Sequence, residues 1–525
     1  MSELLHDFIF RAARQFPASE ALVHGARKLN YVQLAQAVDG AARSLLGAGV
    51  QRAARVAVYL EKRIENVAAC FGAAAAGAVF VPVNPLLKAA QVAYILGDCS
   101  VSILLTSCER LRLLAPVLAD CPSVHTVFVV GDGEPIDIPG IAVRAWEGAQ
   151  AATLPAHVVI DTDMAAILYT SGSTGNPKGV VLSHRNMVAG AVSVVGYLGM
   201  TARDRILAVL PLSFDYGFSQ LTTAFHVGAC VVLINHLFAR DIVKAVADEA
   251  ITGLAAVPPL WIQLSQLPWP PACTLRYLTN SGGAMPRATV DALRAALPNA
   301  SLFLMYGLTE AFRSTYLPPS ELDRRPDSMG RAIPNAEVLV VRPDGTVCDA
   351  NEAGELVHRG ALVALGYWND PAKTAERFRP APGQHPALPL PEIAVWSGDT
   401  VRRDEEGFLY FVGRGDDMIK VSGYRISPTE IEEAIHAAQL VAEVAAFGVA
   451  HPVLGQAIVV LAVARDSQEV SIAALLKECQ RRLPAYMVPA HIEIRSEAFP
   501  RNPNGKIDRK LLRQTCSTLF ESPTP

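Results

Sequence analysis

Charge is scarce in this chain of 525 residues: Asp, Glu, Lys and Arg together make 18%, and the net charge is −4. Without a basic excess there is no electrostatic footprint for nucleic acid. Cysteine is no richer in pattern. The nine cysteines are scattered, with no C-x-x-C pair and no Cys/His grouping at zinc spacing. Ordinary buried thiols in a reducing, cytoplasmic compartment are therefore expected. The opening segment MSELLHDFIFRAARQFP has no basic stretch followed by an apolar core, so no signal peptide is expected. A long apolar run is missing too. ENVAACFGAAAAGAVFVPVNP, from Glu65, is rich in Ala and Gly and broken by Pro82 and Pro85. It reads as a core helix running into a strand, since a membrane span needs about 20 strongly apolar residues. No internal repeat is found.

What is present is a large apolar fraction, 51%, which suits a well-packed enzyme and argues against disorder. The length calls for two or more domains. Short β-rich runs alternate with helical ones through most of the first 400 or so residues. RVAVYL, AVFVPV, VSILLTS, TVFVVG, RILAVLP, CVVLI, LRYLTNSGG and SLFLMYG are read as strands. This alternation predicts α/β layers. From Ala336 the pattern turns all-β, with AEVLVVRPDGTVC, GELVHRG and FLYFVG joined by tight turns. The proline-rich FRPAPGQHPALPLPE, from Phe378, interrupts it as an exposed loop. After Gly413 a β-α-β pattern returns, enough for a small α+β domain. The boundary is placed near GRGDDM, dividing 1–413, with a β-rich part at 336–413, from 414–525.

One stretch stands out: YTSGSTGNPKGV, Tyr169 to Val180, follows a buried strand and precedes a strand end and a helix. Its glycines Gly172 and Gly175 let backbone N–H groups face a ligand. The hydroxyls of Thr170, Ser171, Ser173 and Thr174 can donate to phosphate oxygens, and Lys178 adds a point charge. The spacing is not that of G-x-x-x-x-G-K-[ST]. On its own the stretch reads either as a phosphate cradle or as a flexible polar loop.

Four further motifs follow in order: YGLTE at Tyr306 to Glu310, SGD at Ser397 to Asp399, GRGDDMIKVSGYRI from Gly413 and NPNGKIDRK from Asn502. With GELVHRGALVALGYWNDPAKTAERF from Gly354, the chain resembles the adenylate-forming superfamily of acyl-CoA synthetases, peptide-synthetase adenylation domains and luciferases over nearly its whole length. The run YGLTEAFRSTYLPP is also similar to acyl-CoA ligases associated with exosortase and exopolysaccharide gene clusters. The resemblance implies a large N-terminal domain of α/β layers with a small β-barrel-like subdomain, and a small mobile C-terminal lid. It implies an AMP-forming ligase that uses ATP and Mg²⁺. A carboxylate attacks the α-phosphate, pyrophosphate leaves, and a thiol displaces AMP from the acyl-adenylate. Both transition states gather negative charge on oxygen, so cations and N–H donors carry the catalysis.

Residue roles follow from the same resemblance. Thr170, Ser171, Gly172, Ser173, Thr174, Gly175 and Lys178 hold the β- and γ-phosphates. Thr309 binds the α-phosphate and Glu310 holds the metal. Tyr306 packs on adenine, with Ser281, Gly282, Gly283 and Ala284 lining the base. Asp399 and Arg414 take the ribose hydroxyls. Lys506 bridges the substrate carboxylate and the α-phosphate, although a lone lysine is ordinarily a solvated surface charge. Asp416 is the hinge on which the small domain turns, and Gly423 leaves room for a pantetheine arm, with Lys420 a further candidate for the second half-reaction.

In LPLSFDYGFSQL, Phe214 stands at a gate position and Asp215 where amino-acid-activating members pair an aspartate with the substrate ammonium. A buried carboxylate needs a partner. It is either such an ammonium or Arg313, an internal pair. An unpaired Arg313 is instead suited to a second substrate carboxylate. Ala256, Thr279, Met305 and Ser314, with Ser281, complete a wall more polar than a long alkyl chain requires. No carrier domain follows Lys506, so the acyl acceptor is coenzyme A or, in the rival reading, the phosphopantetheine of a separate acyl or peptidyl carrier protein loaded with an amino acid. No stable membrane insertion is expected.

Overall fold

The computed structural model describes residues 3–131, 133, 136–146, 156–170, 177–385, 387–414, 419–421, 424–426, 428–451, 454–465, 470–483, 485–503 and 505–520. The chain forms two compact units, Met1–Val338 with His358–Val395, and Leu339–Val357 with Trp396–Pro525.

The first unit is built on two sheets with helices packed on them. One contains, side by side, Ser328–Ala332, Thr315–Leu317, Ser301–Tyr306, Tyr277–Asn280, Gly253–Ala256, Arg205–Ala208, Cys230–Leu233, Glu20–His24 and Arg27–Asn30. Its central strands are parallel and its two ends antiparallel. The other runs Gly366–Tyr367, Lys178–Ser183, Met164–Thr170, Val79–Pro82, Arg55–Tyr59, Val101–Ser107, Thr126–Val130 and Ala142–Ala145. Parallel strands covered on both faces are apolar throughout. All eight sequence runs read as strands are strands here, and the Glu65 segment is a helix, Ile64–Ala75, leading into the strand Val79–Pro82.

Phe218, on the helix Asp215–Val227, stacks on Phe71 at 5.8 Å and on Phe80 at 4.9 Å between ring centroids. Those rings come from the helix and strand just named, so this cluster ties the helix carrying Asp215 to the sheet that carries the cradle. Among the described residues no helix is long and apolar enough to cross a membrane. All nine cysteines are free thiols; Cys273 is half-buried and the others buried.

The proline-rich segment departs from expectation at its start. Phe378–Pro380 is a strand paired antiparallel with Ile393–Val395, not loop. Phe378 is buried against Tyr367, ring centroids 5.5 Å apart, and that apolar anchor draws the edge strand in. Ala381 is buried too, and the described residues from Ala387 to Glu392 are exposed, as read.

The second unit carries a five-stranded sheet in which Gly455–Ala464 lies between Val441–His451 and His491–Arg495. Side chains alternate across a strand. Val444, Ala446, Val460 and Ala462 therefore face one core, with Ile431, Ile435, Leu475 and Cys479. Ala445, Phe447, Val459 and Leu461 face another, with Leu512 and Cys516.

Two buried imidazoles make the first unit sensitive to acid. Burial lowers the pKa of His358 to about 4. Burial, with the charge of His6 adding to it and Asp163 and Asp161 opposing, lowers His184 to about 4. The unfolded chain takes up these protons near pH 6.5, the folded chain only near 4. Folding is therefore favoured fully above pH 6.5 and loses roughly 3 kcal/mol per histidine as pH falls to about 4. Urea unfolding across this range checks it: His358→Gln flattens the decline, and an unchanged profile in that variant removes His358 as a cause.

Candidate active site

The strands on either side of the glycine-rich stretch, Met164–Thr170 and Lys178–Ser183, pair antiparallel. Thr170 lies opposite Lys178 in register, and Tyr169 opposite Gly179. Ser171, Gly172, Ser173, Thr174 and Gly175 lie outside the described residues, so the structure places the two ends of the expected cradle, Thr170 and Lys178. Its base is braced. The Tyr169 hydroxyl donates to Asp98 Oδ2 at 2.5 Å, and Trp368 Nε1 donates to the Asp98 carbonyl at 3.0 Å. Burial first, then Cys99 and Asp98, push the Tyr169 phenol well above its ordinary pKa, so it stays a neutral donor. Gly179 is required by space: a Cβ there would meet Ile167 Cγ2 at 2.7 Å.

Lys178 and Glu310 meet through a residue the sequence reading did not single out. The Lys178 ammonium lies 5.0 Å from the centroid of the Tyr367 ring. The Tyr367 hydroxyl donates to Glu310 Oε1 at 2.6 Å. The short strand Gly366–Tyr367 pairs with Val180 and Val181, and the Ala364 N–H donates to the Glu310 carbonyl at 2.9 Å. The signal was present in the GYW of the motif-bearing stretch, but nothing in a linear pattern shows that its tyrosine faces two others. Glu310 sits in the single turn Thr309–Ala311, which follows the strand ending at Tyr306. Thr309 is buried, and Tyr306 half-buried opposite Thr315. The carboxylate is a hard oxygen donor of the kind Mg²⁺ prefers, so Glu310 fits the role expected of it.

The loop after Tyr277–Asn280 is shaped from behind. Buried Asn280 donates through Nδ2 to the Gly283 carbonyl at 3.0 Å. Gly282 has φ +86°, which a residue with a Cβ adopts only at a cost. Ser281 is buried, and Gly283 and Ala284 are exposed, as a loop that meets a ligand with its backbone requires.

Asp215 opens the helix Asp215–Val227, with Phe214 as its N-cap. Both Asp215 (5% exposed) and Arg313 (1%) are buried, and Arg313 Nη1 lies 3.5 Å from Asp215 Oδ2. Of the two partners open to Asp215 in sequence, the internal one is present. Arg313 Nη1 also donates to the Phe312 carbonyl at 2.9 Å and Nη2 to Ser219 Oγ at 2.7 Å, and the guanidinium carbon stands 4.6 Å from the Tyr216 ring centroid. Phe312 has φ +55°, a strained value for a bulky residue that turns the chain so that Arg313 enters the core. Ser219, one helical turn after Asp215, escaped the sequence reading although its spacing put it on the same face.

Arg313, Thr279 and Met305 line a narrow cavity of about 10 Å³ with Tyr216, Ser219 and Gln220. Met305 accepts a contact from the Tyr197 hydroxyl at 2.9 Å. Phe214, Ser281, Ala256 and Ser314 are not on this cavity's wall. Ser314 instead turns its hydroxyl to His358 Nδ1 at 2.9 Å.

The second unit holds the remaining candidates. Asp399, buried, lies opposite Arg414 in an antiparallel pair of strands, so the two expected ribose residues are cross-strand neighbours. Ser397 Oγ, on the same strand as Asp399, donates to the Leu356 carbonyl and accepts from the Asp399 N–H, at 2.7 and 3.0 Å. Lys506 is exposed on a tight turn: Asn502 N–H donates to the Lys506 carbonyl at 2.9 Å, and the Lys506 N–H donates to Asn502 Oδ1 at 3.1 Å. That turn leads into a helix, Arg509–Thr515, whose Arg509 grips buried Glu432 in a bidentate pair, Nε to Oε1 at 3.1 Å and Nη2 to Oε2 at 2.7 Å. Lys420 is on the strand Ile419–Val421. Asp416 and Gly423 lie outside the described residues.

Comparison with known proteins shows the family. The AMP-binding enzyme family matches residues 9–368, and the AMP-binding enzyme C-terminal domain matches residues 430–506. The chain is similar to an L-proline–[L-prolyl-carrier protein] ligase of Streptomyces coelicolor, 32% identical over 95% of this chain and 94% of the relative. It is similar to the long-chain-fatty-acid–CoA ligase FadD13 of Mycobacterium tuberculosis, 30% identical over 93% of each chain. Among solved structures, the anthranilate CoA ligase AuaEII in complex with anthranoyl-AMP superimposes with a TM-score of 0.87, at 26% identity over 98% of both chains. With the family matched along both of its parts and the hairpin, the Thr309–Glu310 turn and the Asp399 strand in place, the chain belongs to the AMP-binding enzymes and is an AMP-forming acid–thiol ligase.

Proposed function

We propose that this ligase joins a small carboxylic acid to ATP, releasing pyrophosphate, and then passes the acyl group from AMP to the thiol of coenzyme A. The observation that carries the reading is the Lys178–Tyr367–Glu310 arrangement at the mouth of the hairpin. It sets a cation beside the phosphate-binding stretch and a carboxylate a tyrosine's length away. Lys178, Thr170 and the residues between them hold the β- and γ-phosphates and keep them as pyrophosphate departs. Thr309 donates to the α-phosphate. Glu310 holds Mg²⁺, which supplies charge neutralisation of the phosphate oxygens when bound. Asp399 accepts from the ribose hydroxyls, since a carboxylate accepts without donating. Lys506 stabilises the charge that builds between acid and α-phosphate.

The small domain, taken as beginning after Gly413, turns about Asp416 between the two half-reactions and brings Gly423 to the pantetheine path. Coenzyme A is preferred as acceptor because the Asp215 carboxylate, which would serve an amino acid, already has Arg313 beside it.

Acid-dependent exchange of labelled pyrophosphate into ATP tests the first half, and thioester formation with free coenzyme A tests the second. Exchange is expected with a small acid, to be abolished by chelating Mg²⁺, and thioester with coenzyme A to exceed that with a pantetheinylated carrier protein. Thioester formed on a carrier protein alone reverses the choice of acceptor. Asp416→Pro is expected to leave exchange within about twofold of wild type and to reduce thioester formation by roughly a hundredfold; equal loss of both takes the hinge role from Asp416.

A further inference from the structure

The cavity has one charged residue on its wall, Arg313, and its counter-charge, Asp215, stands beside the guanidinium without lining the cavity. Asp215 and Arg313 are both more than nine-tenths buried, and they stand 3.5 Å apart. A substrate ammonium reaching this carboxylate displaces a buried guanidinium, leaving it without its counter-charge. A second substrate carboxylate reaching Arg313 does the same to Asp215. Either exchange strands a charge in a low-dielectric site. The pair therefore works against charged acyl tails of both signs.

Two polar atoms of residues that line the cavity remain unspent. Arg313 Nε and the Tyr277 hydroxyl are buried and have no hydrogen-bond partner among the described residues. Tyr277 is 4% exposed and lines the same cavity as Arg313. The strand beneath makes room for the phenol. A Cβ on Gly253 would come within 2.4 Å of the Tyr277 hydroxyl oxygen, so only glycine allows that ring its position. Arg313 Nε can only donate, and the Tyr277 hydroxyl can donate as well as accept, so an oxygen acceptor answers both. Gln220 and Thr279 add further polar wall, and the cavity has room for about one oxygen atom, at about 10 Å³. Buried donors left unmade are costly, and a ligand that supplies the acceptor recovers that cost.

We propose that the Asp215–Arg313 pair and Tyr277 select an acid whose acyl group is short and uncharged and carries a hydrogen-bonding oxygen, a hydroxyl or carbonyl. Arg313 thereby acts as a built-in occupant of the place an ammonium would take. The inference rests on the ligase reading above, with this cavity at the end of the acyl site.

The test is acid-dependent pyrophosphate exchange by the full chain with two series of four-carbon acids, substituted at C2 or at C4. Each series carries hydroxyl, methyl, ammonium or carboxylate at the substituted position. In at least one series the hydroxy acid is expected to exceed the methyl, ammonium and carboxylate members by about tenfold or more in kcat/KM. Arg313→Met is expected to raise the ammonium member relative to the hydroxy acid by about tenfold, and Asp215→Asn to raise the carboxylate member likewise. Tyr277→Phe, which removes only an unpaired hydroxyl and is expected to fold, lowers the hydroxyl-to-methyl ratio by about tenfold and decides the matter should the charge variants not fold. Fastest exchange with an ammonium- or carboxylate-bearing acid, or an unchanged ratio in Tyr277→Phe, overturns the inference and leaves the ligase reading standing. No exchange with any acid, while ATP still binds, overturns both.

Discussion

Lys506→Ala lowers acid-dependent pyrophosphate exchange by roughly a thousandfold while ATP still binds with about its normal affinity. A carboxylate attacking a phosphate is repelled by it, and a cation at the meeting point lowers that barrier only in the transition state. Its loss thus appears in kcat and hardly in ATP affinity. The structure gives Lys506 a defined platform. Its turn is closed by backbone bonds to Asn502, Arg501 Nη1 donates to the Gly505 carbonyl at 2.8 Å, and Arg501 and Glu443 form an ion pair at its base. The Arg509–Glu432 pair then fixes the helix that follows. Thioester formation from supplied acyl-adenylate is expected to survive the substitution, because that step draws on other residues. Exchange at the wild-type rate in Lys506→Ala would remove this residue from the mechanism.

The second large effect comes from a residue that touches no ligand. Gly217 is in the first turn of the helix Asp215–Val227, and a Cβ there would fall 2.0 Å from the Pro211 carbonyl oxygen. That carbonyl accepts from the Phe214 N–H at 3.2 Å, closing the turn that delivers Phe214 and Asp215. Backbone cannot step aside as a flexible side chain can. Gly217→Ala is expected to destabilise the first unit by roughly 3 kcal/mol. It should raise KM for the acid by about tenfold and leave KM for ATP nearly unchanged, since the shift moves the acyl site and not the hairpin. Thermal unfolding together with the two KM values checks this; an alanine variant with wild-type stability and acid KM would show that the turn adjusts freely.

The sequence was most informative where physics leaves few choices. Buried parallel strands must be apolar on both faces, so RVAVYL and VSILLTS announced themselves. Gly253–Ala256 did not, because GLAA has no β-branched residue. Its glycine is there to admit the Tyr277 ring, a requirement imposed from the next strand and invisible in the run itself. The same contrast holds at the site. Thr170, Lys178, Thr309, Glu310, Asp399 and Lys506 could be proposed because each sits in a compact motif whose order along the chain is distinctive. Asp215 and Arg313 could be suspected as a pair, but 98 positions apart in sequence their contact depends on how Phe312 turns the chain. Tyr367, Tyr277 and Ser219 act through neighbours that only folding supplies.

Tyr367 also settles a problem that any site with both a lysine and a carboxylate faces. Left side by side, Lys178 and Glu310 would satisfy one another, and an incoming nucleotide would have to pry them apart before either could be used. The aromatic ring is an insulator between them: its electron-rich face occupies the ammonium and its hydroxyl occupies the carboxylate, each by a contact weaker than a mutual ion pair. Both charges are thereby kept apart, and on the proposed roles of Lys178 and Glu310 a nucleotide would not have to break an internal bridge between them.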